Sequence, residues 1–271
     1  GGSVLTRLDL SGASSLTSIG NDFCCYTYLQ SLDLSGMTSL VSIGNDFCRV
    51  RSLTELNLSG LSSLTSIGNE FCQNASFTSL DLSDLRNVTS IGSGFCHGAS
   101  NLKSLDLSGM TSLTSIGYAF CRVSSLASLN LSRLSNLTSI ADAFCFATPL
   151  TSLDLAGLSN LTTIGSFWFC NCKAVTSLDL SGMTSLTSIG GGFCEGAESL
   201  TELNFTGLRL TSIGKEFCYG ASSLANLDLS GMSSSLTSIG DDFCASTSAL
   251  TLQGWPTSPT SGVASSPPTH R

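Results

Sequence analysis

Apolar residues recur along this chain at a fixed spacing. In one representative stretch Leu29, Leu32, Leu34, Met37, Leu40, Ile43 and Phe47 are apolar, and Ser, Thr, Gly, Asn or Asp fill most positions between them. Around Leu32-Asp33-Leu34 the alternation has period two, the mark of a half-buried strand, and Ser35-Gly36 then supplies turn residues. Phe-Cys recurs at Cys24, Cys48, Cys72, Cys96, Cys121, Cys145, Cys170, Cys194, Cys218 and Cys244, with gaps of 24, 24, 24, 25, 24, 25, 24, 24 and 26. About ten coils follow, each beginning with a short strand.

A single strand of this kind cannot bury its apolar face. Stacking coils at about 4.8 Å pairs every strand in parallel with its neighbours and merges the leucines into one core. The expected fold is a repeat solenoid over residues 1–252, as a horseshoe or a β-solenoid. It has one parallel β-sheet, roughly 45 to 50 Å long at that spacing, and an outer side of turns or short helices. The adjacent Thr-Ser pairs of each Leu-Thr-Ser-Ile-Gly segment read as turn residues bonded to the backbone.

The LxxLxL core and the 24 to 25 residue period resemble leucine-rich repeats. The SIGxxFC half is similar to the SIGxxAFxxC half of the BspA-like class, with Cys here directly after Phe and Met or Leu near the usual post-strand Asn. The resemblance covers residues 4 to about 252. It implies a non-enzymatic protein- or glycan-binding module, without cofactor, at an extracellular or cell-surface location.

A longer period lies above the coil. The residue between the two strand leucines runs Asp9, Asp33, Asn57, Asp81, Asp106, Asn130, Asp154, Asp179, Asn204, Asp228, so every third coil carries Asn. Met37, Met110 and Met183 recur 73 residues apart, which points to tandem copies of a three-coil block. Slips are expected near Leu208, one residue short, and from Met232 to Leu236, one residue long. Residues 253–271, rich in Pro, Ser and Thr, read as a disordered tail. Without an initiator Met or a capping segment before Val4, the chain reads as a fragment.

Composition narrows the function. Charged residues are 11% of the chain and the net charge is −8, with eleven scattered basic residues, which argues against nucleic-acid binding. No run of apolar residues approaches the length needed to span a bilayer. Only His97 and His270 offer imidazoles, and no GxSxG, phosphate-loop, HExxH or dinucleotide motif is present, so an enzyme lacks its acid, base and nucleophile inventory.

Strand alternation places the Asp/Asn series opposite the buried leucines, on the sheet surface, where Asn at every third rung relieves like-charge repulsion. Glu55 and Glu202 return charge to the same face. The next row on that face holds Arg7, Ser31, Glu55, Ser79, Ser104, Ser128, Ser152, Ser177, Glu202 and Asn226. The series reads either as an acidic groove for a basic protein or glycan, or as a solvated face needing no ligand, which makes the array a spacer. Calcium is disfavoured because it takes six to eight oxygen ligands, which sparse carboxylates along one strand face do not supply. No metal site is expected.

Twelve cysteines include ten in register, whose parallel Cβ vectors suit a ladder of buried thiols better than disulfides. Cys25 and Cys172 break that register and are expected to be the exposed or reactive ones. The adjacent hydroxyl residues leave ice binding as a remote alternative. Asn57, Asn74, Asn87, Asn130, Asn136, Asn160 and Asn204 begin Asn-x-Ser/Thr sequences; the first, fourth and last lie on the sheet face, where a glycan would obstruct binding.

Overall fold

The computed structural model describes residues 4–232, 234–247 and 250–254; the expected tail from Trp255 onward lies outside the described residues. The chain is a parallel β-solenoid of about ten coils, divided into two compact units, Gly1–Asn136 and Leu137–Arg271.

Two strand sites recur per coil. The expected one follows the Leu-x-Leu segments. In the first unit Arg7–Asp9, Ser31–Asp33 and Glu55–Asn57 form one parallel ladder, and Ser104–Asp106 pairs with Ser128–Asn130. In the second, Ser177–Asp179 pairs with Glu202–Asn204, and Asn226–Asp228 pairs with Thr251–Gln253. The register stacks like on like, Leu8 on Leu32 on Leu56, so one row of leucines points inward throughout the ladder.

The other site is the Ser-Ile of each SIG segment, where turns were expected. In the first unit Ser18–Ile19, Ser42–Ile43, Ser66–Ile67, Ser90–Ile91 and Ser115–Ile116 pair successively in parallel. In the second unit Ser139–Ile140, Thr163–Ile164, Ser188–Ile189, Ser212–Ile213 and Ser238–Ile239 do the same. The β-branched isoleucines fit a pleated, half-buried surface, and every one is buried. Threonines before these Ser residues do bond to the backbone, but across coils: Thr65, Thr89 and Thr114 Oγ1 donate to the carbonyls of Val41, Thr65 and Thr89 at 2.9 to 3.1 Å. Those hydroxyl hydrogens are engaged within the protein and not offered to solvent.

The SIG ladder runs through every coil of each unit, whereas the Leu-x-Leu ladder is interrupted at residues 79–81. The hydrogen bonding just beyond the strand changes at the same place. Between the second and third coils the Gly36 amide donates to the Ser59 carbonyl at 3.0 Å. One coil later Gly60 donates instead to Asp84 Oδ2 at 2.8 Å, so a carboxylate side chain stands where the next coil's carbonyl would. Residues 152–154 also lack ladder pairing with Ser177–Asp179. In the coil expected to be one residue long, Ser230–Met232 form a short 3₁₀ turn and the Leu236 amide donates to the Met232 carbonyl four residues back at 2.9 Å, where Leu40 reaches Met37 three back.

The core is a set of ladders. Phe23, Phe47, Phe71, Phe95 and Phe120 stack with ring centroids 5.1 to 5.6 Å apart and planes within 10°. In the second unit Trp168 enters the column against Phe144 at 5.2 Å, and its indole nitrogen donates to the Ala141 carbonyl at 3.1 Å, satisfying the one polar atom such a ring brings into a core. The in-register cysteines from Cys48 onward are buried free thiols.

Cys172 departs from expectation: it is fully buried, not exposed, and its thiol donates to the Cys145 carbonyl at 2.8 Å. It occupies the slot eight residues after the SIG isoleucine, held elsewhere by Ala75, Ala99, Ala197 and Ala221, all buried. The left-handed residue before it, Asn171 (φ 59°), turns the chain inward there, as Gly98 does before Ala99. Cys25 is half-buried and donates to the Asp46 carbonyl. Burial pushes the thiols of Cys72, Cys145 and Cys218 well above the ordinary range, and that of Cys170 up to about 12. Since the thiolate is the nucleophile, a thiol reagent at pH 8 should label native protein at Cys24 and Cys25 only, and all twelve cysteines in denaturant. Rapid native labelling of Cys96 or Cys172 would contradict the buried ladder.

Candidate sheet-face site

Each Asp or Asn between the strand leucines makes the same local bond: its Oδ1 accepts the backbone N–H two residues on. All ten do so, from Asp9 to Ser11 through Asp228 to Ser230, at 2.8 to 3.1 Å. This is an Asx turn, in which a short polar side chain supplies the acceptor that the turning backbone needs as it leaves the strand. It accounts for Asp or Asn at all ten of these positions: both carry the Oδ1, and only one carries charge. Asp81 and Asp154 make the bond even where the strand ladder is interrupted.

The rungs stack in register, Asp9 on Asp33 on Asn57, Asp106 on Asn130, and Asp179 on Asn204. The expected relief of repulsion takes the form of a direct contact in the second unit, where Asn204 Nδ2 donates to Asp179 Oδ1 at 3.0 Å. The hydroxyl and amide of Ser35 hold the Asp33 carboxyl below the usual carboxylate range, and Ser181 does the same for Asp179. At Asp106 desolvation pushes upward but is outweighed by Ser108 and Asn130, so that carboxyl is lowered too.

A carboxyl whose folded pKa is depressed contributes stability above its unfolded value, near 3.9, and loses it as pH falls through the folded value. The triple variant D33N/D106N/D179N retains all three Oδ1 acceptors but nothing that titrates. Its stability to urea should therefore fall less than the parent's between pH 5 and pH 2, and an identical acid profile would contradict the assignment.

Glu55 and Glu202 lie exposed on the same face, in register with Ser31 and Ser177. A shallow cavity of about 260 Å³ opens on the first unit, lined by Thr6, Arg7, Gln30, Ser31, Thr54 and Glu55. Among the described residues no three His, Cys, Asp or Glu side chains converge to hold a metal ion, and no helix is long and apolar enough to cross a membrane.

A second polar series, not singled out from the sequence, follows the SIG glycines. Asn21, Asn45 and Asn69 Oδ1 accept the amides of Asn45, Asn69 and Ser93, each at 2.8 Å, and Asp142 accepts that of Ser166. The recurring Asn after Ser-Ile-Gly was its available signal. Asn87 and Asn136 are also spent on coil stacking, their Nδ2 groups donating to the Ser62 and Thr111 carbonyls at 2.7 and 2.9 Å.

Strand ladders, inward leucines and an asparagine- and aspartate-capped turn in every coil define a leucine-rich-repeat solenoid. The family model described as BspA type leucine rich repeat region (6 copies) matches residues 17–148 and again residues 138–258, and the chain belongs to that family. Comparison with curated protein sequences finds no match. Among solved structures, a leucine rich cell surface protein from Faecalibacterium prausnitzii A2-165 is similar at 17% identity, over 88% of this chain and 83% of that one, with a TM-score of 0.49. A leucine-rich repeat protein from Bacteroides ovatus ATCC 8483 is similar at 18% identity, over 92% and 76%, with a TM-score of 0.45. The functional domain of InlJ from Listeria monocytogenes, which includes a cysteine ladder, is similar at 20% identity, over 87% of this chain and 52% of that one, with a TM-score of 0.41. This chain thus spans about half the length of that domain.

Proposed function

We propose that the protein is a non-enzymatic recognition module of a cell surface, whose acidic sheet face binds a repetitive, basic protein or glycan ligand through many weak contacts. The observation that supports this reading is the anchored ladder. Each rung has one oxygen bonded to the backbone, which fixes the side chain's direction, and each Asp keeps a second oxygen for a partner. Fixing the donor set before binding reduces the ordering cost of each contact, and a regular array lets weak contacts reinforce one another on a repetitive ligand. The binding residues are Asp9, Asp33, Glu55, Asn57, Asp81, Asp106, Asn130, Asp154, Asp179, Glu202, Asn204 and Asp228.

One observation favours the spacer reading. Asn57, Asn130 and Asn204 make the same turn as the aspartates, so closing the coil is sufficient reason for the position to recur. The two readings part on charge alone. Protein and glycan array screens should find ligands whose binding weakens in D33N/D106N/D179N, a variant that keeps every turn. Ligands bound equally by parent and variant remove the ladder from recognition and leave the spacer.

A further inference from the structure

We propose that the cavity on the first unit is a subsite for a short zwitterionic peptide, of dipeptide size, held between Arg7 and Glu55. The proposal rests on the reading of the sheet face as a recognition surface and names what one part of it takes. The row of residues beside the Asp/Asn ladder is otherwise nearly uniform: Ser at 31, 79, 104, 128, 152 and 177, and Asn at 226. It carries charge at Arg7, Glu55 and Glu202 only, and Arg7 is its single cation. The place where opposite charges stand two rungs apart is also the place where the surface forms a cavity.

The geometry selects the ligand. Arg7 is in register with Ser31, and Ser31 with Glu55, so the two charged residues stand two strand spacings apart, about 10 Å between backbones. Neither enters an ion pair among the described residues, and both are exposed. At about 260 Å³ the cavity is smaller than the roughly 300 to 1,000 Å³ of sites that take drug-sized ligands. An extended dipeptide spans about 7 Å, which leaves room at each end for a charge-assisted hydrogen bond. Its carboxylate meets the Arg7 guanidinium, which can grip both oxygens, and its ammonium meets the Glu55 carboxylate. Ser31 lies under the peptide bond between them, and Thr6, Gln30 and Thr54 supply polar walls. A single amino acid, whose charges are one bond pair apart, cannot reach both ends.

The test uses the full chain and diglycine as probe, read by amide chemical shifts. Diglycine should produce saturable shifts at Gln30, Ser31 and Thr54. N-acetyl-diglycine, diglycine amide and free glycine should each bind about tenfold more weakly, as should diglycine to R7Q or to E55Q, each of which deletes one charge-assisted contact. Absence of saturable shifts, or equal binding of the capped peptides or of glycine, overturns the proposal. The wider reading is scored separately: loss of array ligands in D33N/D106N/D179N without any diglycine site rejects the subsite alone, and an Arg7- and Glu55-dependent diglycine site with unaltered array binding rejects the ladder.

Discussion

Substituting Gly92 by alanine is expected to cost about 3 kcal/mol, near the upper end for overpacking, and to lower the urea midpoint of the first unit accordingly. A single methyl group suffices. Gly92 lies where successive coils come closest: its amide donates to the Ile67 carbonyl at 2.9 Å. An added Cβ would stand 2.5 Å from the carbonyl carbon of Gly68 and 2.6 Å from the Asn69 nitrogen. Both are backbone atoms held by their own coil, so nothing flexible can move aside. The internal control is Gly20, at the same place in its coil, where an added Cβ meets nothing within 4 Å. Gly20→Ala should change stability by no more than about 0.5 kcal/mol. Equal effects at the two sites would show that coil contact is not what keeps glycine there.

The other large effect is expected at Phe71. Its ring is fully buried and stacked at 5.1 Å on both sides, between Phe47 and Phe95. Phe71→Ala should cost about 3 to 5 kcal/mol, from lost burial and from a cavity that two rigid neighbours cannot close. In a solenoid each coil is held by its neighbours, so the deletion weakens two interfaces at once. Phe23, half-buried with one stacked partner, should cost distinctly less when truncated. Denaturant unfolding of the two variants measures the difference, and a Phe23 variant as damaged as the Phe71 variant would contradict the column.

Much of this was legible in the sequence because repetition amplifies weak signals. A strand of three residues is too short to recognise once, yet Leu-Asp-Leu and its variants recur in every coil, and their spacing gives the coil number and the inward row of leucines directly. The BspA-like resemblance rested on the same repetition, and the family match bears it out. The SIG strands were missed because each contributes only two residues, too few for an alternating pattern, and because Thr and Ser suit turns as readily as edges. The break at residues 79–81 coincides with a carboxylate, Asp84, accepting from the Gly60 amide, a contact between coils that no linear pattern encodes. Cys172 differs from its expected exposure for a different reason. Aligned on Phe-Cys it falls beside Gly98 and Gly196, out of the repeat, whereas aligned on the SIG isoleucine it falls in the buried slot of Ala99 and Ala197, because Trp168 takes the phenylalanine position of that coil.

For the candidate site, the sequence placed the Asp/Asn series on one face and anticipated its alternation with Asn. It did not reveal that each side chain is tied to the turn that follows. That bond makes the ladder rigid and also offers a purely structural reason for its existence, so function hinges on whether the remaining charge matters where it stands.

That point can be tested directly with decalysine at 0.15 M salt, titrated calorimetrically into the parent and two charge-matched variants. One is D33N/D106N/D179N, on the sheet face. The other is D22N/D241N/D242N, in exposed loops after the SIG segments, where Asp22 and Asp242 hold left-handed φ of 57° and 54° that Asn tolerates well. Each triple removes three negative charges, taking the net charge from −8 to −5. If the ladder is a recognition surface, the sheet-face variant loses about tenfold or more in affinity and the loop variant changes little, as expected when charges act in an ordered array and not through net charge alone. Equal losses in the two variants would contradict the account, leaving the ladder as a device for closing turns.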